Sequence, residues 1–177
     1  MGFGVPATTA VASTDTNADA KTQTPADIET YGPRVELPGG MLLKQLGKVA
    51  ETKATDNPGP WAARIVLDSI TLDPKCDQYL PAPTRGHRLL LAVRVETSDT
   101  WGSGLGVPQS SSWSTVGEDG VTEGPTQIGY DCHSGKALPY EMRPAAKYRG
   151  EVTLDTANTK GQLILSNLFA WDYPIRA

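Results

Sequence analysis

Between positions 88 and 97 the chain alternates without a break: Leu89, Leu91, Val93 and Val95 share one parity, Leu90, Ala92, Arg94 and Glu96 the other. Only an extended chain sends successive side chains to opposite sides, so this run predicts a half-buried β-strand. Its aliphatic parity needs a partner layer to cover it, and a second sheet is the simplest one. Residues 61–72 read as another strand, with Ile65 and Leu67 on one parity and Ile70 and Leu72 on the other. That change of phase near Asp68-Ser69 predicts a bulge or a bend between sheets.

Shorter strands follow the same logic. Residues 112–116 carry Trp113, 126–132 place Ile128, Tyr130 and Cys132 on one face, and 148–155 place Tyr148, Val152 and Leu154 on one face. Residues 161–173 read as the last strand, stopped by Pro174. Residues 41–50 fit either one or two helical turns ending at Gly47 or a lead into an edge strand. Residues 98–112 read as a polar loop, with a short strand around Leu105-Gly106-Val107. Asp119-Gly120 marks a hairpin-type turn. Eighteen Gly and 14 Pro supply turns at the required intervals. About seven short strands and no βαβ pattern predict an all-β, antiparallel β-sandwich.

Charge narrows the partners. Sixteen Lys and Arg against 20 Asp and Glu give a net charge of −4, so no basic excess exists to hold nucleic acid. The longest aliphatic run, 89–93, is far too short for a membrane span. Residues 7–30 contain seven Thr and six Ala, with only Val11 and Ile28 as larger apolar residues. Such a stretch buries too little surface to offset the entropy of ordering it. Residues 1–36 therefore read as a disordered Thr/Ala-rich tether and 37–177 as the sandwich domain.

The opening Met1-Gly2-Phe3-Gly4 has no basic region followed by an apolar one, as a signal peptide would. Either the protein is cytoplasmic or an export segment precedes this sequence. The expectation is the second: a lipid-attachment cysteine or a signal cleavage site immediately before Gly2. Membrane contact is then expected only through that N-terminal anchor.

Cys76 and Cys132 are the two cysteines, and His87 and His133 the two histidines. Their spacing matches no zinc motif, so no metal is expected. A Cys76–Cys132 disulfide is the leading reading, which implies an oxidising compartment. The alternative is two reduced, packed thiols in a cytosolic protein. Asp131-Cys132-His133 suggests a nucleophile, but neighbours on a strand point to opposite faces and a disulfide would consume the thiol. Phosphate-cradling glycine loops and GxSxG are missing, and Ser110-Ser111-Ser112 reads as a polar loop. No catalytic residue and no cofactor are expected. Of the four tryptophans, one or two should fill the core. Trp101 lies in the polar loop Asp99-Thr100-Trp101-Gly102-Ser103-Gly104. It is the candidate binding-loop residue, weighed against a role capping one open end of the sandwich.

The stretch from about Gly47 to Pro174 resembles a family of immunoglobulin-like domains of unknown function. These occur in secreted and lipid-anchored proteins of Gram-positive bacteria, especially actinobacteria. The likeness rests on Leu46-Gly47-Lys48-Val49-Ala50-Glu51, Asp73-Pro74-Lys75-Cys76, the central run 86–97 and Asp119-Gly120. Arg143-Pro144, the run 148–155 and the close Trp171-Asp172-Tyr173-Pro174 complete it. The family usually places Gly after that proline, where this chain has Ala145. More distantly, the chain is similar to small secreted mycobacterial antigens. The resemblance implies an immunoglobulin-like sandwich outside the cytoplasm, secreted or anchored at the cell surface, and carries over no catalytic residue. The expected function is a non-enzymatic binding or interaction module whose partner is another envelope or extracellular protein. The alternative is a structural or assembly accessory of a cell-envelope complex, and the third reading is a hydrolase.

Overall fold

The computed structural model describes residues 22–53, 60–77, 79–102, 112–124 and 131–174. Within them lie one helix, α1 (Pro25–Tyr31), and ten strands. The strands are β1 (Val35–Glu36), β2 (Leu42–Leu43), β3 (Val49–Lys53), β4 (Trp61–Leu72), β5 (His87–Thr97), β6 (Trp113–Gly117), β7 (Thr122–Glu123), β8 (Lys147–Thr156), β9 (Gly161–Leu165) and β10 (Phe169–Tyr173). They form a four-stranded sheet, β3-β4-β5-β8, and a six-stranded sheet, β1-β2-β10-β9-β6-β7. All pairings are antiparallel except β2 with β10. The architecture is a two-sheet β-sandwich with one disulfide.

The core lies between the sheets. From the smaller sheet come Ile65, Leu67, Leu89, Leu91, Val93, Val95, Val152 and Leu154, and from the larger Trp113, Leu163, Leu165, Phe169, Trp171 and Tyr173. Two tryptophans thus fill the core, with the rings of Trp113 and Trp171 centred 5.7 Å apart and tilted. The alternation in β5 is realised as read. The phase change in β4 is a register shift between Leu67 and Ser69, leaving Asp68 as the extra residue. Past it, Ile70 and Leu72 turn back to pack against the core.

Four readings of the sequence need correction. First, residues 22–36 belong to the fold and not to a tether. Thr24 and Asp27 form a capping box, Pro25 opens α1, and Gly32 closes it with φ +74°. Composition misled because α1 buries no residue and is held by polar contacts instead. Lys48 Nζ donates to the Glu29 carbonyl at 2.6 Å, and Lys44 Nζ donates to the carbonyl of Tyr31. Residues 1–21 lie outside the described residues. Second, of the two readings of residues 41–50 the helical one falls and the lead into an edge strand stands: Leu42–Leu43 and the start of the edge strand β3 at Val49 are extended.

Third, 161–173 is a hairpin, not one strand. Ser166 and Asn167 take φ +50° and +55°, turning β9 back into β10. Apolar residues on both sides of the turn made the run look continuous. Fourth, Cys132 lies in a bend, not on a strand; the rest of that reading, 125–130, is outside the described residues. So is the short strand around Leu105-Gly106-Val107.

The outer face of β8 also departs from expectation. Thr153 and Asp155 are buried on it, as is Arg88 of β5. Segments 73–86 and 131–138 lie over them. Cys132 N donates to Thr153 Oγ1 at 3.0 Å, and Thr84 donates to Asp155 Oδ2 from its backbone N at 2.7 Å and its Oγ1 at 2.8 Å. Arg88 Nη2 donates to the Pro81 carbonyl at 2.7 Å.

Segment 136–138 then runs along the free edge of β8. Glu151 N donates to the Lys136 carbonyl at 2.7 Å and Leu138 N to the Glu151 carbonyl at 2.9 Å. This covers an edge that would otherwise offer unpaired backbone groups. The approach depends on Gly150, where a Cβ would overlap the backbone of Ala137 and Leu138. Gly150→Ala should therefore cost about 1–3 kcal/mol by overpacking. The check is the urea midpoint of the variant. An unchanged midpoint would show that 136–138 does not seal this edge.

Candidate binding cleft

Cys76 and Cys132 are bonded, with Cα atoms 4.7 Å apart and 56 positions between them in sequence. The bond does not cross from sheet to sheet, as in antibody domains. It ties the 73–86 segment to the 131–138 segment above β8. Cys132 is fully buried. With the thiol consumed, Asp131-Cys132-His133 holds no nucleophile. His133 Nδ1 lies 2.7 Å from Glu151 Oε2, and its Nε2 lies 3.2 Å from the Lys75 carbonyl. The hydrogen bond to Glu151 raises the pKa of His133. The imidazole thus serves as a second tie between the stapled segments and β8.

Trp101 folds back onto the core and is 7% exposed. Its Nε1 donates to the Met142 carbonyl at 3.2 Å. Next to it, Thr97 Oγ1 donates to the Arg143 carbonyl at 2.6 Å, and Ala145 N donates to the Ser98 carbonyl at 2.8 Å. Ala145 itself sits at φ +52°, the left-handed conformation that Gly adopts without strain. These contacts make Trp101 the cap of one sandwich end. Its indole is not presented as a binding hot spot, contrary to the exposed placement weighed for it.

The feature best suited to a ligand lies elsewhere, where α1 crosses the seam between the sheets. A cleft of about 310 Å³ opens there. Its apolar wall includes Leu42, Val49 and Phe169; its polar groups include Gln23, Asp27, Tyr31, Arg34, Lys44 and Glu51. Both sheets contribute, because β2 and β10 end beside the edge strand β3. An apolar floor with a few convergent polar groups is the usual composition of a ligand site.

Electrostatics in the cleft are uneven. Burial pushes the Lys44 amine down to about 8. Its one hydrogen bond goes to a neutral carbonyl, that of Tyr31. Glu51 is better compensated. Burial disfavours its charge, but Arg64, Lys53 and Tyr31 outweigh that by hydrogen bonding, so its pKa is lowered. Arg64 Nε donates to Glu51 Oε2 at 3.0 Å and Tyr31 Oη donates to the same oxygen at 3.1 Å. Arg64 is itself fixed over the Trp61 ring, 4.4 Å from its centroid. Lys44 therefore makes no ion pair among the described residues, whereas Arg34, also in the cleft, lies 3.5 Å from Glu36.

None of the cleft residues was singled out from sequence. The available signal was the capping box, Thr24-Pro25-Ala26-Asp27 before Gly32, which predicts a helix start inside a stretch whose composition suggests a tether. Among the described residues no group of three or more His, Cys, Asp or Glu side chains could hold a metal ion.

No protein-family model and no curated protein matches the chain. Among solved structures, the chain is similar to MPT63, a secreted protein of Mycobacterium tuberculosis, at a TM-score of 0.49 and 13% identity, over 75% of this chain and 97% of that one. At those values the likeness carries no weight for site or function. The class defined by the fold itself is a disulfide-stapled β-sandwich with a seam cleft.

Proposed function

We propose that this chain is a non-catalytic binding module that works outside the cytoplasm and receives its ligand in the cleft under α1. The observation that carries the reading is Lys44, an amine held in a cleft with an apolar wall and making no ion pair with any described residue. The matching ligand is an acyl chain or apolar side chain reaching Leu42, Val49 and Phe169, with a carboxylate turned to Lys44. The disulfide supports the compartment, since such bonds persist where the surroundings are oxidising. The Thr/Ala-rich residues before Thr22 would link the module to a cell surface or to another envelope protein.

The test uses hexanoate as the probe, followed by two-dimensional NMR of the full chain. Saturable shifts should appear at residues 23, 31, 44 and 51, with affinity of about millimolar for so small a ligand. Lys44→Met should weaken binding about tenfold, the loss of one charge-assisted hydrogen bond. Binding should also weaken as the pH rises past about 8, where Lys44 loses its proton. Shifts scattered over the surface, or equal binding by the variant, would remove the cleft from consideration.

A further inference from the structure

The stapled segments cover only one half of the outer face of the four-stranded sheet. On the other half, strand register sets Val49, Val66, Arg94 and Arg149 side by side in one row across β3, β4, β5 and β8. The neighbouring row is Glu51, Arg64, Glu96 and Lys147. That second row alternates in sign and pairs within itself: Arg64 with Glu51 at 3.0 Å, Lys147 with Glu96 at 3.6 Å. The first row does not. Arg94 and Arg149 stand directly opposite each other, and like charges so placed oppose strand pairing.

Asp68, the extra residue of the bulge, hydrogen-bonds only one of them and attracts Arg149 through space from farther away. It accepts from Arg94 Nε at 2.7 Å and Nη2 at 2.6 Å. Arg149 is exposed and makes no hydrogen bond or ion pair with any described residue. Beside the arginines, Val66 and half-buried Val49 floor a shallow depression of about 450 Å³.

We infer that this face docks a peptide segment carrying a single carboxylate, which Arg149 takes, with an adjacent apolar side chain seated on Val49 and Val66. A guanidinium presents a planar fork that fits a carboxylate through two parallel hydrogen bonds. The apolar floor one strand away calls for a side chain that a bare anion lacks. A dense polyanion fits poorly, because Glu51, Asp68, Glu96 and Glu151 surround the arginines and would repel every charge beyond the first. This face adjoins the Lys44 cleft and shares Val49 with it, and Lys44, which lines only the cleft, tells the two apart.

The probe is a fluorescent five-residue peptide with one glutamate flanked by leucines and an amidated C-terminus, read by anisotropy at low ionic strength with the full chain. Saturable binding is expected. Arg149→Gln should weaken it at least tenfold, Arg149→Lys should recover part of the loss, and Lys44→Met should leave it unchanged. The melting temperature of Arg149→Gln should not fall, because a like-charge pair is relieved. Absence of saturable binding, or equal affinity of Arg149→Gln, overturns the inference. So does polyphosphate competing better than unlabelled peptide, which would make the face a general polyanion surface.

Discussion

Reducing the Cys76–Cys132 bond, or replacing both residues by alanine, should cost about 4 kcal/mol of stability. The chain-entropy relation gives that value for a closed loop of this length, since the bond joins residues 56 positions apart. For a protein stable by about 5–15 kcal/mol this is a large share, and it corresponds to a fall of roughly 8–16 °C in the melting temperature at this chain size. The measurement is the urea midpoint with and without reductant. The wild type should fall to the level of the double-alanine variant, which should itself ignore reductant. The loss should also have a location. Without the bond, segments 73–86 and 131–138 are held to β8 by the Cys132–Thr153, Thr84–Asp155 and His133–Glu151 contacts alone. Amide exchange at Thr153 and Asp155 should then outpace exchange in β5. Thiol titration of the unfolded, unreduced protein should find no free sulfhydryl; two free thiols, or an unchanged midpoint, would sink the argument.

Period-two alternation in the sequence reveals whatever a strand buries on one side. That is why β5 was legible throughout, and why the bulge at Asp68 showed as a change of phase. It fails where both faces are covered. Thr153 and Asp155, polar and opposite in face to Val152 and Leu154, carry no sign of burial in the sequence, yet loops distant in sequence lie over them and hydrogen-bond to them. The β9–β10 turn was hidden because Ser166 and Asn167 adopt positive φ without a glycine to announce it. Asn tolerates that conformation; Ser signals it weakly. Helix α1 was missed because a seven-residue helix with no buried residue has no apolar periodicity to detect. The Lys44 cleft went with it, since the cleft exists only where α1 crosses the seam. The disulfide was legible for a simpler reason, being the one pairing two cysteines allow. The strand face read for Cys132 plays no part in it, as the residue sits in a bend.

Leu91→Ala should cost about 2–5 kcal/mol, whereas Glu96→Ala should change stability by no more than about 0.5 kcal/mol. The two residues are five apart on one strand and opposite in face. Leu91 is fully buried and lies between Ile70 of β4 and Val152 of β8 in the register of the sheet. Its truncation removes apolar contact and leaves a cavity between sheets whose other wall, including Trp113 and Trp171, is too bulky to collapse into it. Glu96 faces outward. Its contact with Lys147 spans 3.6 Å, and the lysine side chain is 80% exposed. Such exposed pairs contribute about 0–1 kcal/mol because water screens the attraction and two long side chains must be ordered to make it. Loss of the pair also leaves Arg64 its stronger partner Glu51. Urea midpoints of the two variants, measured at equal m-values, decide the matter. A loss for Glu96→Ala equal to or larger than that for Leu91→Ala would mean that β5 presents its other face to the core, and the assignment of the inter-sheet surface would fail with it.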